Sequence, residues 1–302
     1  MSSISYIIPH YDNYTGLKKL LKSIELCEND EIIVVDDCSP LEIYNQIKNL
    51  LKEYKFTLLR SESNKGAGHA RNIGIEKSIS EWIIFADADD IFIEGYSSIL
   101  EKYLNNNFDI VYFSPTSKKV STNNSVIGNR HSFYSFLVNK YAESPTLKNK
   151  NNMIYKMVVP WSKLIRRDLI KNNSISFDVV EVSNDVMFST KIGFYSDNVI
   201  ATNESIYCCI EMENSLTADI SFTKTMQRLI IFSNQYNFLR ESLNKSEFQK
   251  LSITGFSYLY LAKKNDYSYS EKKEIKLFLK KNRIPIITVA YLFNRIQRLF
   301  NK

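Results

Sequence analysis

The residues best suited to chemistry stand at the end of one apolar run, Trp82-Ile83-Ile84-Phe85-Ala86-Asp87-Ala88-Asp89-Asp90. Five β-favouring or small residues lead into three carboxylates within four positions, the pattern of a buried central strand that ends at an open edge. Hard oxygen donors spaced Asp-x-Asp suit Mg²⁺ or Mn²⁺ bridging to a phosphate, and the carboxyl end of a strand is where open α/β sheets bind ligands. Taken alone, such acids also read as a solvated turn. Two other strand ends count against that. Glu31-Ile-Ile-Val-Val closes on Asp36-Asp37, and Ser5-Tyr-Ile-Ile-Pro9 closes on His10-Tyr11-Asp12-Asn13.

The elements that must position these residues follow from periodicity. Leu17, Leu20, Leu21 and Ile24 recur at helical spacing after the first strand, and Ile43, Ile47, Leu50 and Leu51 after the second. Phe56–Leu59 reads as a third strand, leading through Asn64-Lys-Gly-Ala-Gly-His-Ala-Arg71-Asn72-Ile-Gly74 into a helix. The Trp82 run is then the fourth strand and Phe108–Phe113 a further one. Short apolar strands alternating with helices predict an α/β fold, a mostly parallel sheet with helices on both faces, and bring three strand ends to one edge. Beyond it, 116–130 and 144–153 read as loops, 131–141 as a helix, and Val182–Phe188 as the opening of a helix with Asp185 in its first turn. From about Thr223 the pattern is helical.

Composition bounds the function. The 302 residues are 44% hydrophobic, enough for a proper core. Cys27, Cys38, Cys208 and Cys209 have neither zinc-site spacing nor disulfide density, so a reducing cytoplasm is expected. The first residues read as a strand rather than a signal peptide, and no 18-residue apolar stretch is present to span a membrane. Residues 263 to 302 carry eleven Lys or Arg against three acids, so the net charge of +6 belongs to the tail. That speaks against nucleic-acid binding by the body of the chain. In the tail, Ile275, Leu277, Phe278 and Leu279 precede Lys280 and Arg283, Pro285 is expected to divide two helices, and Ile284–Phe293 is apolar. Residues 270–302 therefore either lie on an anionic membrane surface or pack on the body or on a second subunit.

Ordered and spaced as they are over residues 3 to 95, Ile-Ile-Pro-His-Tyr-Asp-Asn, Ile-Ile-Val-Val-Asp-Asp-Cys-Ser-Pro, Asn-Lys-Gly-Ala-Gly-His-Ala-Arg-Asn-Ile-Gly and Phe-Ala-Asp-Ala-Asp-Asp resemble the successive motifs of the inverting glycosyltransferase family 2, bacterial surface-glycan type. Pro160-Trp-Ser-Lys-Leu-Ile-Arg-Arg167 and Ser183-Asn-Asp-Val-Met-Phe188 resemble its later segments. The resemblance implies a GT-A fold over 1–215, with a nucleotide-sugar-binding half (1–115) and an acceptor-binding half (116–215), followed by a helical, basic C-terminal region over 216–302. Asn184 stands where that family usually has Glu, and Cys38 where Gly is common. The Gln-x-x-Arg-Trp motif of processive members is missing.

The activity implied is inverting, metal-dependent transfer of a single sugar from a UDP-sugar to a hydroxyl of a glycan or lipid-linked glycan, in capsule, lipopolysaccharide or other surface-polysaccharide synthesis. The location implied is the cytoplasm, with the tail a candidate for attachment to the inner face of the plasma membrane. By the same resemblance Asp89 and Asp87 hold Mn²⁺ or Mg²⁺, while Asp90 either joins them or caps the next turn. Pro9, Tyr11, Asp36 or Asp37, Lys65, Gly68, Arg71, Asp87 and Ala88 bind the nucleotide sugar. Tyr11 offers its ring to uracil, one acid of the pair takes the base N–H, and Lys65 and Arg71 meet the phosphates. Asp185 is the general base, and Trp161, Lys163 and Asn184 line the acceptor site. Two other readings compete: a sugar-phosphate nucleotidyltransferase, which wants a glycine-rich loop after the first strand where this chain has no glycine before Gly16, and an inactive membrane-peripheral protein of the same fold, favoured only by Asn184.

Overall fold

A computed structural model describes residues 2–120, 125–211 and 219–287. The chain divides into two compact units, Met1–Glu213 and Asn214–Lys302. In chain order the first unit comprises β1 (Ile4–His10), α1 (Tyr14–Ser23), β2 (Glu31–Asp36), α2 (Leu41–Leu50), β3 (Thr57–Arg60), α3 (Ala67–Lys77), β4 (Trp82–Phe85), β5 (Ile91–Phe92) and α4 (Tyr96–Leu104). It continues with β6 (Ile110–Phe113), β7 (Thr116–Val120), β8 (Ser125–Ile127), α5 (Ser132–Glu143), α6 (Leu147–Lys156), β9 (Lys163–Arg166), α7 (Arg167–Asn172), α8 (Asp185–Tyr195), β10 (Val199–Thr202) and β11 (Tyr207–Glu211).

Seven strands form one sheet in the order β10-β6-β9-β4-β1-β2-β3, all parallel except β9, which runs antiparallel to both neighbours. All of β1 and β4 and five of six residues of β2 are buried, as strands covered on both faces by helices must be. Ridge positions supply the covering contacts: α1 buries Leu17, Leu20 and Leu21, and α2 buries Ile47 and Leu50. The order reverses at β1, with β2 on one side and β4 on the other, so the crevice between their carboxyl ends is the place where this sheet type takes a ligand.

β1 runs one residue past the expected end and holds Pro9 inside it. Pairing with β4 stops at Ile7, whose carbonyl accepts from Ala86 N at 3.1 Å. Two residues on, Pro9 points to the same side, where β4 has already ended, and its missing N–H costs no ladder bond.

Two stretches expected to be loops are ordered differently. Residues 116–130 contain β7 and β8, which with β5 and β11 build a second sheet in the order β5-β11-β7-β8. Residues 144–153 begin α6, capped by Thr146, whose hydroxyl accepts from Asn149 N at 3.3 Å, and it buries Asn151, Met153, Ile154 and Tyr155. Asn-rich composition hid that helix, because only its last turn is apolar.

The second unit contains α9 (Phe222–Ser242), α10 (Lys245–Leu251), α11 (Phe256–Lys264) and α12 (Tyr269–Lys281) around a core of Leu229, Tyr236, Ala262, Tyr267, Ile275, Leu279 and Ile284. α12 opens on a capping box formed by Ser268 and Glu271 and closes at Lys281, before the break expected at Pro285. Ile275 and Leu279 are thus core residues, while Leu277 is exposed. The second tail helix predicted from Ile284 to Phe293 lies mostly outside the described residues. No helix among the described residues is long and apolar enough to cross a membrane.

Candidate active site

The three acid-bearing strand ends do meet, and each has a different task. Asp36, at the end of β2, is fully buried. Its carboxylate takes Ser39 Oγ at 2.5 Å, Ser39 N at 3.2 Å, His10 Nδ1 at 3.1 Å and Arg60 at 3.1 Å. His10 Nε2 accepts from Asn13 N at 3.2 Å, so its proton sits on Nδ1 and points at Asp36. Burial pushes the Asp36 carboxyl up, but the bonds from His10 and Ser39 outweigh it and hold the group below the ordinary carboxylate range. The network ties the first strand-end turn to the second and leaves Tyr11 standing out, 52% exposed.

Asp37 is also turned inward. It receives Lys65 N at 3.1 Å and Gly66 N at 2.6 Å, pinning the loop that enters α3. Both acids offered for the nucleobase thus take bonds from the scaffold, and the exposed members of that set are Tyr11 and Lys65. Between them Cys38 adopts φ +64°, a conformation that costs a side-chain-bearing residue about 1 kcal/mol and explains why glycine is common there.

Gly68 and Arg71 make contacts within the protein. A Cβ on Gly68 would collide with the Asp178 carbonyl and touch Asn184, so this glycine lets α3 press against the segment before α8. Arg71 is buried and acts as a strut. One guanidinium nitrogen donates to Asn184 Oδ1 at 2.9 Å, another to Asp87 Oδ1 at 2.5 Å, and the group lies 5.2 Å from the centroid of the Phe177 ring. It joins the acidic turn after β4 to Asn184, the residue just before α8.

Asp87, Asp89 and Asp90 offer carboxylate oxygens all within 4.8 Å of one another. Asp90 is fully buried, with Tyr207 Oη donating to Oδ2 at 2.8 Å and Ile210 N to Oδ1 at 2.7 Å. Asp89 is half-buried, and burial together with the Asp87 charge raises its carboxyl. Crowded, partly desolvated carboxylates of this kind gain from a divalent cation, and the donor set is all oxygen, as Mg²⁺ and Mn²⁺ prefer. Ala88 lies between them, its carbonyl close under Gly16 at the start of α1.

Asp185 is the first residue of α8, and Asn184 before it makes no side-chain cap, its amide being engaged by Arg71. Burial raises the Asp185 carboxyl, Arg71 pulls it down, and Asp87 pushes it up again, so it feels the acidic turn across the site. Two neighbours had no sequence signal. Arg130 carries its charge beside Asp90, Asp87 and Asp89, which together outweigh the effect of burial and hold it protonated. Its backbone N–H donates to Glu211 Oε1 at 2.6 Å. Tyr134, one turn into α5, is pushed up to about 12 by burial and by the Asp185 charge. Neither belongs to a spaced motif.

The expected acceptor residues are placed otherwise. Trp161 is 1% exposed, stacked on Tyr207 with centroids 5.7 Å apart and edge-on to Tyr134 at 5.5 Å, so it is a wall behind the site rather than a contact surface. Lys163 is wholly buried, donating to the Met157 carbonyl at 2.8 Å and Ser189 Oγ at 3.3 Å, and burial lowers its amine from 10.5 to about 7. A neutral native amine that is protonated when unfolded makes stability rise with pH between those two values. Urea unfolding is expected to show wild type gaining up to about 1.4 kcal/mol per pH unit from pH 7.5 to 9 relative to Lys163→Met. Parallel pH profiles for the two proteins would contradict the buried neutral amine.

Residues 5–173 match the sequence profile described as Glycosyl transferase family 2. The chain belongs to that family. Among curated relatives, an uncharacterized glycosyltransferase of Haemophilus influenzae is 34% identical over 113 residues, 35% of this chain and 37% of the relative, so the chain spans little more than a third of that protein. A Borreliella burgdorferi protein named cholesterol galactosyltransferase is 27% identical over 284 residues, 85% of this chain and 76% of the relative. Among solved structures, S. aureus TarS 1-349 in complex with UDP-GlcNAc superposes with a TM-score of 0.69 at 16% identity, over 93% of this chain and 80% of that one. The Pyrobaculum calidifontis mannosyltransferase PcManGT in complex with GDP-Man and Mn²⁺ gives 0.61 at 13% identity, over 92% and 75%. These likenesses establish the fold, the GT-A arrangement of this glycosyltransferase family.

Proposed function

We propose that this family 2 glycosyltransferase moves one sugar from a UDP-sugar to a hydroxyl of a glycan acceptor, with inversion and with the help of a divalent cation, in the building of a surface polysaccharide. The observation that carries this reading is the clustering of Asp87 and Asp89 at the carboxyl end of β4, with Arg71 spanning from Asp87 to Asn184 just before Asp185, whose carboxyl feels the Asp87 charge. Asp89 and Asp87 would hold Mg²⁺ or Mn²⁺, with Asp90 buried behind them and each of its oxygens accepting a protein donor. When bound, the cation offsets the charge that develops on the departing diphosphate. Tyr11 is exposed and supports stacking of the uracil ring, and Lys65, also exposed, offers its charge to the phosphates.

On the acceptor side, Asp185 takes the proton of the attacking hydroxyl as the new bond to the anomeric carbon forms and the bond to the diphosphate oxygen breaks. Its raised basicity suits that role. The neighbour in complex with UDP-GlcNAc supports a UDP-sugar donor.

A thermal-shift screen of UDP-sugars tests the reading. Donor at 100 times its dissociation constant stabilises the chain by about 2.7 kcal/mol, and the shift is expected with Mn²⁺ and to collapse in EDTA. No shift with any UDP-sugar, or equal shifts with and without metal, would contradict it.

A further inference from the structure

Tyr207 belongs to β11, in the small second sheet, yet its hydroxyl reaches the acidic turn after β4 from 117 to 120 residues away. It is fully buried and makes two bonds there. It donates to Asp90 Oδ2 at 2.8 Å and accepts from Asp87 N at 2.9 Å. The same strand supplies Ile210 N to Asp90 Oδ1 at 2.7 Å, and the turn closes on itself through Asp90 N to the Asp87 carbonyl at 3.0 Å. The Tyr207 ring is held on two sides, stacked on Trp161 and edge-on to Phe92 at 5.5 Å.

Resting on the metal reading above, we propose that Tyr207 is a positioning residue for the cation site, clasping the Asp87–Asp90 turn so that Asp87 and Asp89 face the metal, and that Asp90 serves as the clasp's anchor and not as a ligand. A carboxylate whose two oxygens each accept a protein donor inside a closed interior has a ready structural role. A flexible four-residue turn bearing two ligands needs its backbone fixed before they can share an ion, and the bond between the Asp87 amide and Tyr207 fixes it at the first ligand. Groups that orient metal ligands in this way change metal affinity by about 10- to 100-fold when removed.

The test is Mn²⁺ binding, followed by electron paramagnetic resonance of free Mn²⁺ in the presence of UDP, on four variants beside wild type. Tyr207→Phe keeps the ring and its packing, and is expected to weaken Mn²⁺ by about tenfold or more. Phe92→Leu loosens the same ring without touching the hydroxyl, and is expected to lower thermal stability while leaving Mn²⁺ affinity unchanged. Asp90→Asn breaks the clasp from its other end, so its loss and that of Tyr207→Phe are expected not to add in the double variant. Wild-type affinity in Tyr207→Phe, a loss in Phe92→Leu equal to that in Tyr207→Phe, or additive losses in the double variant would each overturn the proposal. Wild type that binds no Mn²⁺ would instead overturn the metal reading on which it rests.

Discussion

Asp89→Asn is expected to abolish sugar transfer while the fold stands. The carboxylate is half-buried beside Asp87, and both burial and that charge penalise its ionised form. Exchanging it for a neutral amide removes a like-charge contact from a turn that Tyr207 and Ile210 hold independently, so the thermal midpoint should be unchanged or slightly higher. Transfer should suffer far more, because a cation stabilising the leaving diphosphate contributes several kcal/mol, about a thousand-fold in rate or more. Full activity in the variant, or in wild type treated with EDTA, would remove the metal from the account.

Asp185→Asn is expected to cut turnover by roughly 10² to 10⁴ while UDP affinity stays near that of wild type. The side chain begins α8, it makes none of the contacts that pin the donor side, and the residue bridged to Asp87 through Arg71 is Asn184. Because burial raises the Asp185 carboxyl, the acid limb of the wild-type rate profile should fall at a pH above the ordinary carboxylate range, and it should vanish in the variant. If UDP affinity collapsed with the rate, Asp185 would be part of the donor site or the scaffold.

Most of the sheet was legible because its strands are continuous apolar runs: Ile32 to Val35 and Trp82 to Phe85 leave no other reading, and the acids that end them mark the functional edge. What could not be read was which way each acid turns. Asp36 and Asp37 look alike in sequence, but one is claimed by His10, 26 residues back, as well as by nearby Ser39, and the other by the amides of Lys65 and Gly66, 28 and 29 residues on; no local pattern announces the distant partners. Arg71 follows the same logic at greater range. Its guanidinium is held by Asn184, 113 residues on, a partner that no local spacing points to. Trp161 and Lys163 sit in a motif that resembles the family's, yet proximity to a site does not distinguish a lining residue from the packing behind it. The second sheet was missed because Thr116-Ser-Lys-Lys-Val120 lacks an apolar face of its own and gains its order from β11.

Asn184 changes how this site shares charge. A glutamate there would give Arg71 two carboxylates to bridge, whereas the amide leaves the cation's charge to Asp87 among its hydrogen-bond partners. The segment leading into the helix that carries Asp185 is still tied to the acidic turn after β4, so the departure from the family pattern preserves the connection while altering its electrostatics.

The most direct test of the central claim is UDP release from a UDP-sugar panel by wild type, Asp89→Asn and Asp185→Asn, each assayed with Mn²⁺ and with EDTA. Wild type is expected to release UDP from at least one donor, with release abolished by EDTA and in Asp89→Asn, and strongly reduced in Asp185→Asn. Release from no donor, or release at the same rate in EDTA, would contradict it.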